Sequence, residues 1–388
     1  MKKIINGKII IGQDVLSDME IIFDNKIQGI TKSSDAFIAD QIIDANGAYI
    51  SAGFIDIHMH GLKGADIMDA SVDGLRQISK NLPEYGVSSY LGTTVTASFD
   101  KIRLVQEKMN EFINQNDEGA RLLGMHLEGP FINSAYKGAH KEEHIRNPKW
   151  EDTLLDWSVT KLVTISPETD ENFELIRQLK LRNIKVSMGH TSMSYEKAKE
   201  AISAGVDSAT HLFNAMPSIH HRAPGCIVAA LDSAIYTELI PDGVHVHPAV
   251  MTLVGRLKGA DKLIIVTDSM MAAGLDDGMY KLGDLEVCVH NSVARLNDGT
   301  IAGSTLCMTQ AMRNIMKLGI FSISEVVGMV TENPAKLLNH KHIGRLEIGR
   351  LADITIFDHN FNVHKTYVNG KLQYERLENY ESNCCKFI

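Results

Sequence analysis

Apolar residues along this chain follow two rhythms. Near both ends they fall in short runs broken by turn-forming pairs. KIINGKIII sets Asn6-Gly7 between apolar runs, which predicts a tight hairpin turn at that pair. MEIIFDNKIQGI repeats the theme around Asp24-Asn25, and HKTYVNGKLQYE, near the other end, does so around Asn369-Gly370. Two strand-rich ends around a long middle predict one small β-sandwich domain assembled from residues 1–51 and 344–388.

The middle, residues 52–343, alternates apolar runs with amphipathic stretches, the βα rhythm of a parallel sheet. The runs are GFIDIHMH, SSYLGTTV, RLLGMHLE, KLVTISPE, IKVSMGH, VDSATHLF, AIYTELIPDG and KLIIVTD. Between them, segments such as SVDGLRQISKNLPEYG, DENFELIRQLKLRN and SYEKAKEAISAG repeat apolar residues at three- and four-residue spacing, and glycine often follows the last turn. About eight such units suit a closed (β/α)8 barrel, so the predicted class is α/β, a TIM barrel with a small β domain beside it. In that fold chemistry gathers where the strands end.

Composition narrows the classes of function. The chain has 388 residues, 44% hydrophobic and 22% charged, enough for a full-sized core. A formal charge of −9 argues against nucleic acid or an anionic membrane as partner, although a local Arg/His cluster can still hold a phosphorylated small molecule. No apolar run approaches the roughly 18 residues that span a bilayer. The opening MKKIINGKIIIG is interrupted by Asn6, Gly7 and Lys8, unlike a secretory signal. Cys226, Cys288, Cys307, Cys384 and Cys385 lack C-x-x-C spacing, which fits a reducing cytoplasm and supplies neither a thiolate metal site nor a disulfide framework. The closing CKFI sets Cys385 where a prenylation box has its cysteine, but Lys386 does not suit that box, and the match is read as chance.

The predicted strand ends carry a distinctive set of side chains. The first ends in His58 and His60, the third in Glu128, the fifth in His190, the sixth in His211 and the eighth in Asp268. Period-two alternation points His58 and His60 to one face of their strand. All six are nitrogen or oxygen ligands on five strand ends. Buried carboxylates without partners are costly, and a divalent cation compensates them. The set therefore predicts a metal centre.

GFIDIHMHG, HLEGPF, GHTS, THLFNAMP, DGVHVHP and VTDSM in this order, with GRLEIGRLADITIFD near the end, resemble the amidohydrolase superfamily. More narrowly they resemble the N-acetylglucosamine-6-phosphate deacetylases, the pair HLEGPF and THLFNAMP being the more specific signal. The resemblance implies Glu128, His190 and His211 as ligands of one ion. It implies His58 and His60, with Glu128 and Asp268, as holders of a second ion, so that one or two divalent ions per subunit are expected. Zn²⁺ and Fe²⁺ suit imidazole and carboxylate ligands, and ligand type does not choose between them.

The same resemblance implies Asp268 as the proton carrier and His140 as the group that polarises the amide carbonyl. It implies substrate contacts at Ala139, Asn214, Ala215, Ile301, Ala302 and Gly303, and a cationic phosphate clamp of Arg222 and His245 shared across a homodimer. His220 and His221 receive no role. The expected substrate is a phosphorylated N-acetylhexosamine, with the gluco and galacto sugars both open. KLVTISPE has no lysine at its carboxyl end, unlike relatives that bridge two metals with a carboxylated lysine and act on cyclic ureides and amides. A barrel that had lost catalysis and served as an assembly protein would show a broken ligand set; Glu128, His190, His211 and Asp268 are all present here.

Overall fold

The computed structural model describes residues 1–32, 38–115, 118–148 and 155–377. Cys384 and Cys385 lie outside these residues. Eight parallel strands form the central sheet: Phe54–Met59, Val87–Thr93, Arg121–Glu128, Thr160–Ile165, Lys185–Met188, Ser208–Ala209, Tyr236–Leu239 and Leu263–Ile265. Each falls inside one of the eight predicted runs or overlaps it by all but one residue. The first and last strands close the barrel through a parallel bridge between Met59 and Ser269. There the Asp268 N–H donates to the His58 carbonyl (2.9 Å) and the His60 N–H to the Ser269 carbonyl (2.7 Å).

The first two strands are buried at every position. Helices cover the outside and side chains fill the inside, so the runs read as continuously apolar rather than alternating. Helices start where the sequence offers caps. Ser71 accepts from the Gly74 N–H to open Val72–Asn81, and Ser194 accepts from the Lys197 N–H to open Tyr195–Ala204. The stretch SVDGLRQISKNLPEYG does not stay α-helical to its end. Pro83 has no N–H to donate, and Leu82–Tyr85 tightens into a 3-10 turn closed by Gly86 in the left-handed region.

Strands from both ends of the chain build a second, separate sheet. Its order runs Lys371–Glu375, Val363–Val368, Ile354–Phe357, Tyr49–Ala52, Lys2–Ile11, Asp14–Phe23, Ile27–Lys32, with Gln41–Asp44 also pairing with Lys2–Ile11. It holds an apolar cluster of its own that includes Ile4, Ile9, Phe23, Ile50, Ile354 and Tyr367. Two of the three predicted turns are present. Asp24-Asn25 lies between paired strands, and at Asn369-Gly370 both φ angles are positive (49° and 69°), as a two-residue type I′ turn requires.

Asn6-Gly7 is different. The strand runs straight through it, and the pair forms a bulge with Asn6 at φ 56°; the hairpin turn comes at Gly12-Gln13. The reason is a close approach. A Cβ on Gly7 would meet Ile50 Cδ1 at 2.3 Å, so the glycine serves packing rather than reversal. The bulge also divides the strand: its first half pairs with Gln41–Asp44 and its second with Tyr49–Ala52.

After the eighth barrel strand, an antiparallel insertion (Gly278–Leu282, Leu285–His290, Val293–Arg295) folds against the barrel mouth and brings Leu282, Thr300 and Ile301 to its rim. Among the described residues no helix is long and apolar enough to cross a membrane.

Candidate active site

A cavity of about 220 Å³ opens at the carboxyl ends of the barrel strands. Glu128 stands at its base, 2% exposed, at the end of the third strand. Its Oε1 lies 3.3 Å from His190 Nε2 and 3.0 Å from His211 Nε2, and those two nitrogens are 3.1 Å apart. Its Oε2 lies 3.4 Å from His60 Nε2, which is 3.0 Å from Asp268 Oδ1. His58 Nε2 sits between the two carboxylates, 3.5 Å from each.

Second contacts assign how the rings carry their protons. His190 Nδ1 lies 2.9 Å from the Tyr136 carbonyl and His60 Nδ1 3.2 Å from the Thr93 carbonyl. His58 Nδ1 lies 3.0 Å from Glu238 Oε2. A carbonyl or carboxylate can only accept, so each Nδ1 carries a hydrogen, and in the neutral ring each Nε2 presents a lone pair to the centre. His140 is held the other way round. Its Nδ1 accepts from the Thr96 backbone N–H (3.0 Å), which leaves the hydrogen on Nε2, aimed into the cavity. Burial holds the His140 ring below its ordinary pKa, so it remains a neutral donor at pH 7.

These donors fit a divalent cation. Ligand atoms about 2.0–2.1 Å from a common ion lie about 2.9–3.4 Å from one another, and the Glu128, His190 and His211 atoms are 3.0–3.3 Å apart. His58 Nε2 is buried and has no hydrogen-bond partner. The field agrees: burial disfavours charge on His58, yet the Glu128 and Asp268 carboxylates outweigh it and favour positive charge there. Burial likewise opposes ionisation of Glu128 and Asp268, but the surrounding imidazoles hold both well below the ordinary carboxylate range.

The backbone spends strain to aim these groups. His190 (φ 49°), His211 (φ 26°) and Asp268 (φ 50°) all lie in the left-handed region, at a cost on the order of 1–3 kcal/mol each. Space is equally tight. A Cβ on Gly129 would meet Thr96 Oγ1 at 2.0 Å, and that hydroxyl lies 2.8 Å from His140 Nδ1. Glycine after Glu128 thereby protects the placement of His140.

Residues 49–372 match the profile described as Amidohydrolase family. The chain belongs to the amidohydrolase family. Relatives of this amidohydrolase include the N-acetylglucosamine-6-phosphate deacetylase of Bacillus subtilis (strain 168), 40% identical over 332 residues, which cover 83% of this chain and 84% of that protein. The N-acetylgalactosamine-6-phosphate deacetylase of Escherichia coli O157:H7 is 34% identical over 339 residues, 85% of this chain and 89% of that protein. The crystal structure of N-acetylglucosamine-6-phosphate deacetylase from Pasteurella multocida superposes with a TM-score of 0.90 at 33% identity, covering 96% of this chain and 99% of that one.

The amidohydrolase fold brings most of the expected substrate-binding residues into the same cavity. Ala139, Asn214, Ala215, His245, Ile301 and Gly303 line it beside His140 and Asp268. Ala302 is fully buried behind Ile301 and Gly303. The His245 side chain is 6% exposed, and its Nδ1 lies 2.6 Å from Asp242 Oδ2; burial opposes its charge, but the Asp242 carboxylate raises its pKa. Arg222 is not brought in. It is exposed, outside the cavity of its own chain, with Nη1 2.6 Å from His221 Nε2.

Several residues escaped the sequence reading. Glu238 backs His58, and Thr96 orients His140. Asp56 joins the barrel seam by accepting from the Thr267 hydroxyl (2.6 Å) and the His58 N–H (3.2 Å). Asp56 lies in GFIDIHMH two residues before His58, and Glu238 is the one charge inside the apolar strand YTEL. A charge inside an apolar run was the available signal for both.

Proposed function

We propose that this amidohydrolase removes the acetyl group of N-acetylglucosamine 6-phosphate, giving glucosamine 6-phosphate and acetate in a cytoplasmic route of amino-sugar breakdown. The observation that carries the reading is the convergence of Glu128, His190, His211, Asp268 and His140 on one cavity that also holds the Asp242-paired His245. Relatives that bear the gluco name at up to 40% identity support that choice of sugar.

Glu128, His190 and His211 would hold one divalent ion, and His58, His60 and Asp268, with an oxygen of Glu128, a second, with zinc or ferrous iron as the species. Bound there, the metal supplies Lewis acidity for the amide carbonyl and for the attacking water. The remaining work belongs to the side chains. Asp268, ionised and facing the cavity, takes a proton from the attacking water and returns it to the departing amine nitrogen. His140 donates from Nε2 to the oxygen that gains charge as the carbonyl is attacked. Asn214, Ala215 and the Ile301–Gly303 segment border the sugar, and Ala139 closes one side.

His245 offers a protonated ring to the phosphate. Arg222, exposed on its own chain, reaches the phosphate bound by a second copy in a homodimer. Its planar guanidinium suits paired phosphate oxygens.

Acetate release from N-acetylglucosamine 6-phosphate, N-acetylgalactosamine 6-phosphate and their unphosphorylated forms, with metal content recorded, tests the proposal. The gluco 6-phosphate should give the highest kcat/KM. A clear preference for the galacto sugar would transfer this chain to the activity named for the Escherichia coli relative.

A further inference from the structure

The side chain behind His58 is the least expected part of the centre. Glu238 lies in the seventh strand, Tyr236–Leu239, and is 0% exposed. Its Oε2 is 3.0 Å from His58 Nδ1 and accepts, at 3.4 Å, from the His211 backbone N–H; its Oε1 has no hydrogen-bond partner. A carboxylate with so few partners is an expensive thing to bury in a barrel. A helix-bundle or barrel core does not need it, because Thr or Val on this strand would fill similar space without the penalty.

The cost becomes intelligible from what Glu238 does to His58. It fixes the hydrogen on Nδ1 and turns the Nε2 lone pair into the gap between Glu128 Oε1 and Asp268 Oδ1, 3.5 Å from each. His126 packs edge-on against the same ring, centroids 4.6 Å apart. Its own nitrogens are occupied by the Ile57 carbonyl and the Thr164 hydroxyl, so it cannot compete for Glu238 or for the gap. The His58 ring is thus clamped on one edge and one face, with a single nitrogen left free.

A carboxylate on the far nitrogen of a metal-ligating imidazole raises its basicity and sets its orientation. His190 and His60 have only neutral carbonyls in that position. Among these three rings, His58 alone has a charged backing. We infer that Glu238 is the positioning residue of a second cation site, formed by His58, His60, Asp268 and one oxygen of Glu128, and that it decides whether this ion is held. The inference rests on the metal-centre reading above and adds to it a residue with no contact to substrate. The rival role for Glu238 is a closed ion pair with a protonated His58, in which no second ion enters.

Stripping the full-length protein with a chelator and titrating it with Co²⁺ separates the two. Visible absorbance follows each addition, and metal analysis of the desalted protein counts ions per chain. The parent should take two ions. Glu238→Gln should take the first with unchanged affinity and bind the second about 10–100-fold more weakly. His58→Ala should take one, and adding Glu238→Gln to it should change nothing further. Glu238→Met, apolar and of similar length, repeats the measurement if the amide variant does not fold; thermal unfolding of the stripped proteins establishes which variants are folded. A parent that takes two ions with Glu238→Gln binding both as tightly overturns the role of Glu238 and leaves the metal centre standing. A parent that takes one ion overturns the second site, and one that takes none overturns the metal-centre reading itself.

Discussion

The strand Arg121–Glu128 carries a charged side chain at each end, and the two ends meet their charge in different ways. At the start, Arg121 makes paired contacts with Asp353 (2.7 and 3.2 Å) and a third with Asn369 Oδ1 (2.6 Å). The Asn369 N–H closes the set on Asp353 Oδ1 at 2.8 Å. Donors and acceptors match, and the result ties the small sheet to the underside of the barrel. At the other end Glu128 is ringed by His58, His60, His140, His190 and His211. Its partners are all imidazoles, and they meet its charge only by taking up protons or by sharing a cation with it. One end is complete as folded; the other is shaped for a cation. Each end carries one charged side chain, and the partners it meets separate a structural residue from a functional one.

That contrast can be broken first at the cation end. Glu128→Gln should abolish binding of the first ion and bring acetate release to background. With metal bound the parent should melt above Glu128→Gln, and stripping the metal should shrink that difference, because the ion stabilises only the protein that holds it; a difference that stays as large in the stripped proteins would contradict the contrast. Asp268→Asn should lower kcat by about 10²- to 10⁴-fold while the Glu128 ion stays bound; a parent-like rate would remove Asp268 as proton carrier. His140→Gln should cost about 10²- to 10³-fold in kcat, as the loss of one oxyanion donor does. KM should change little, and a defect confined to KM would reassign His140 to binding.

The structural end should answer in stability instead. Arg121→Ala is expected to cost about 2–3 kcal/mol, discounted because the guanidinium is partly exposed, with kcat per folded molecule unchanged. Denaturant unfolding alongside steady-state kinetics checks both halves. The smallest effect belongs to pH. Asp242 raises the pKa of His245, so the ring is charged below that pKa and loses its charge as pH rises through it. KM for the phosphorylated sugar should therefore rise a few-fold on the alkaline side, and His245→Gln should flatten that rise. A flat KM in the parent would take His245 out of the clamp.

Much of the fold was legible because its signals are local. Eight apolar runs separated by amphipathic stretches needed only periodicity, and the Asn369-Gly370 turn needed only two residues that tolerate positive φ. Asn6-Gly7 carries the same pair and became a bulge, because Ile50 from a separate strand fills the space beside Gly7. No local rule contains that neighbour. The site divides in the same way. Histidines and acids ending apolar runs were visible as residue types, whereas Glu238 and Asp56 sit within runs and gain meaning only from what faces them across the barrel.

By itself the sequence determined which side chains would stand at the strand ends, since alternation and run length place them regardless of what surrounds them. Tertiary structure decided which nitrogen of each ring faces the centre, that His140 donates where His58, His60 and His190 accept, and that Arg222 stays outside. The ring orientations depend on partners 33 to 180 residues away in the chain, such as Thr93 for His60, Thr96 for His140 and Glu238 for His58. A hydrogen bond has direction as well as distance, and direction exists only once the barrel has closed.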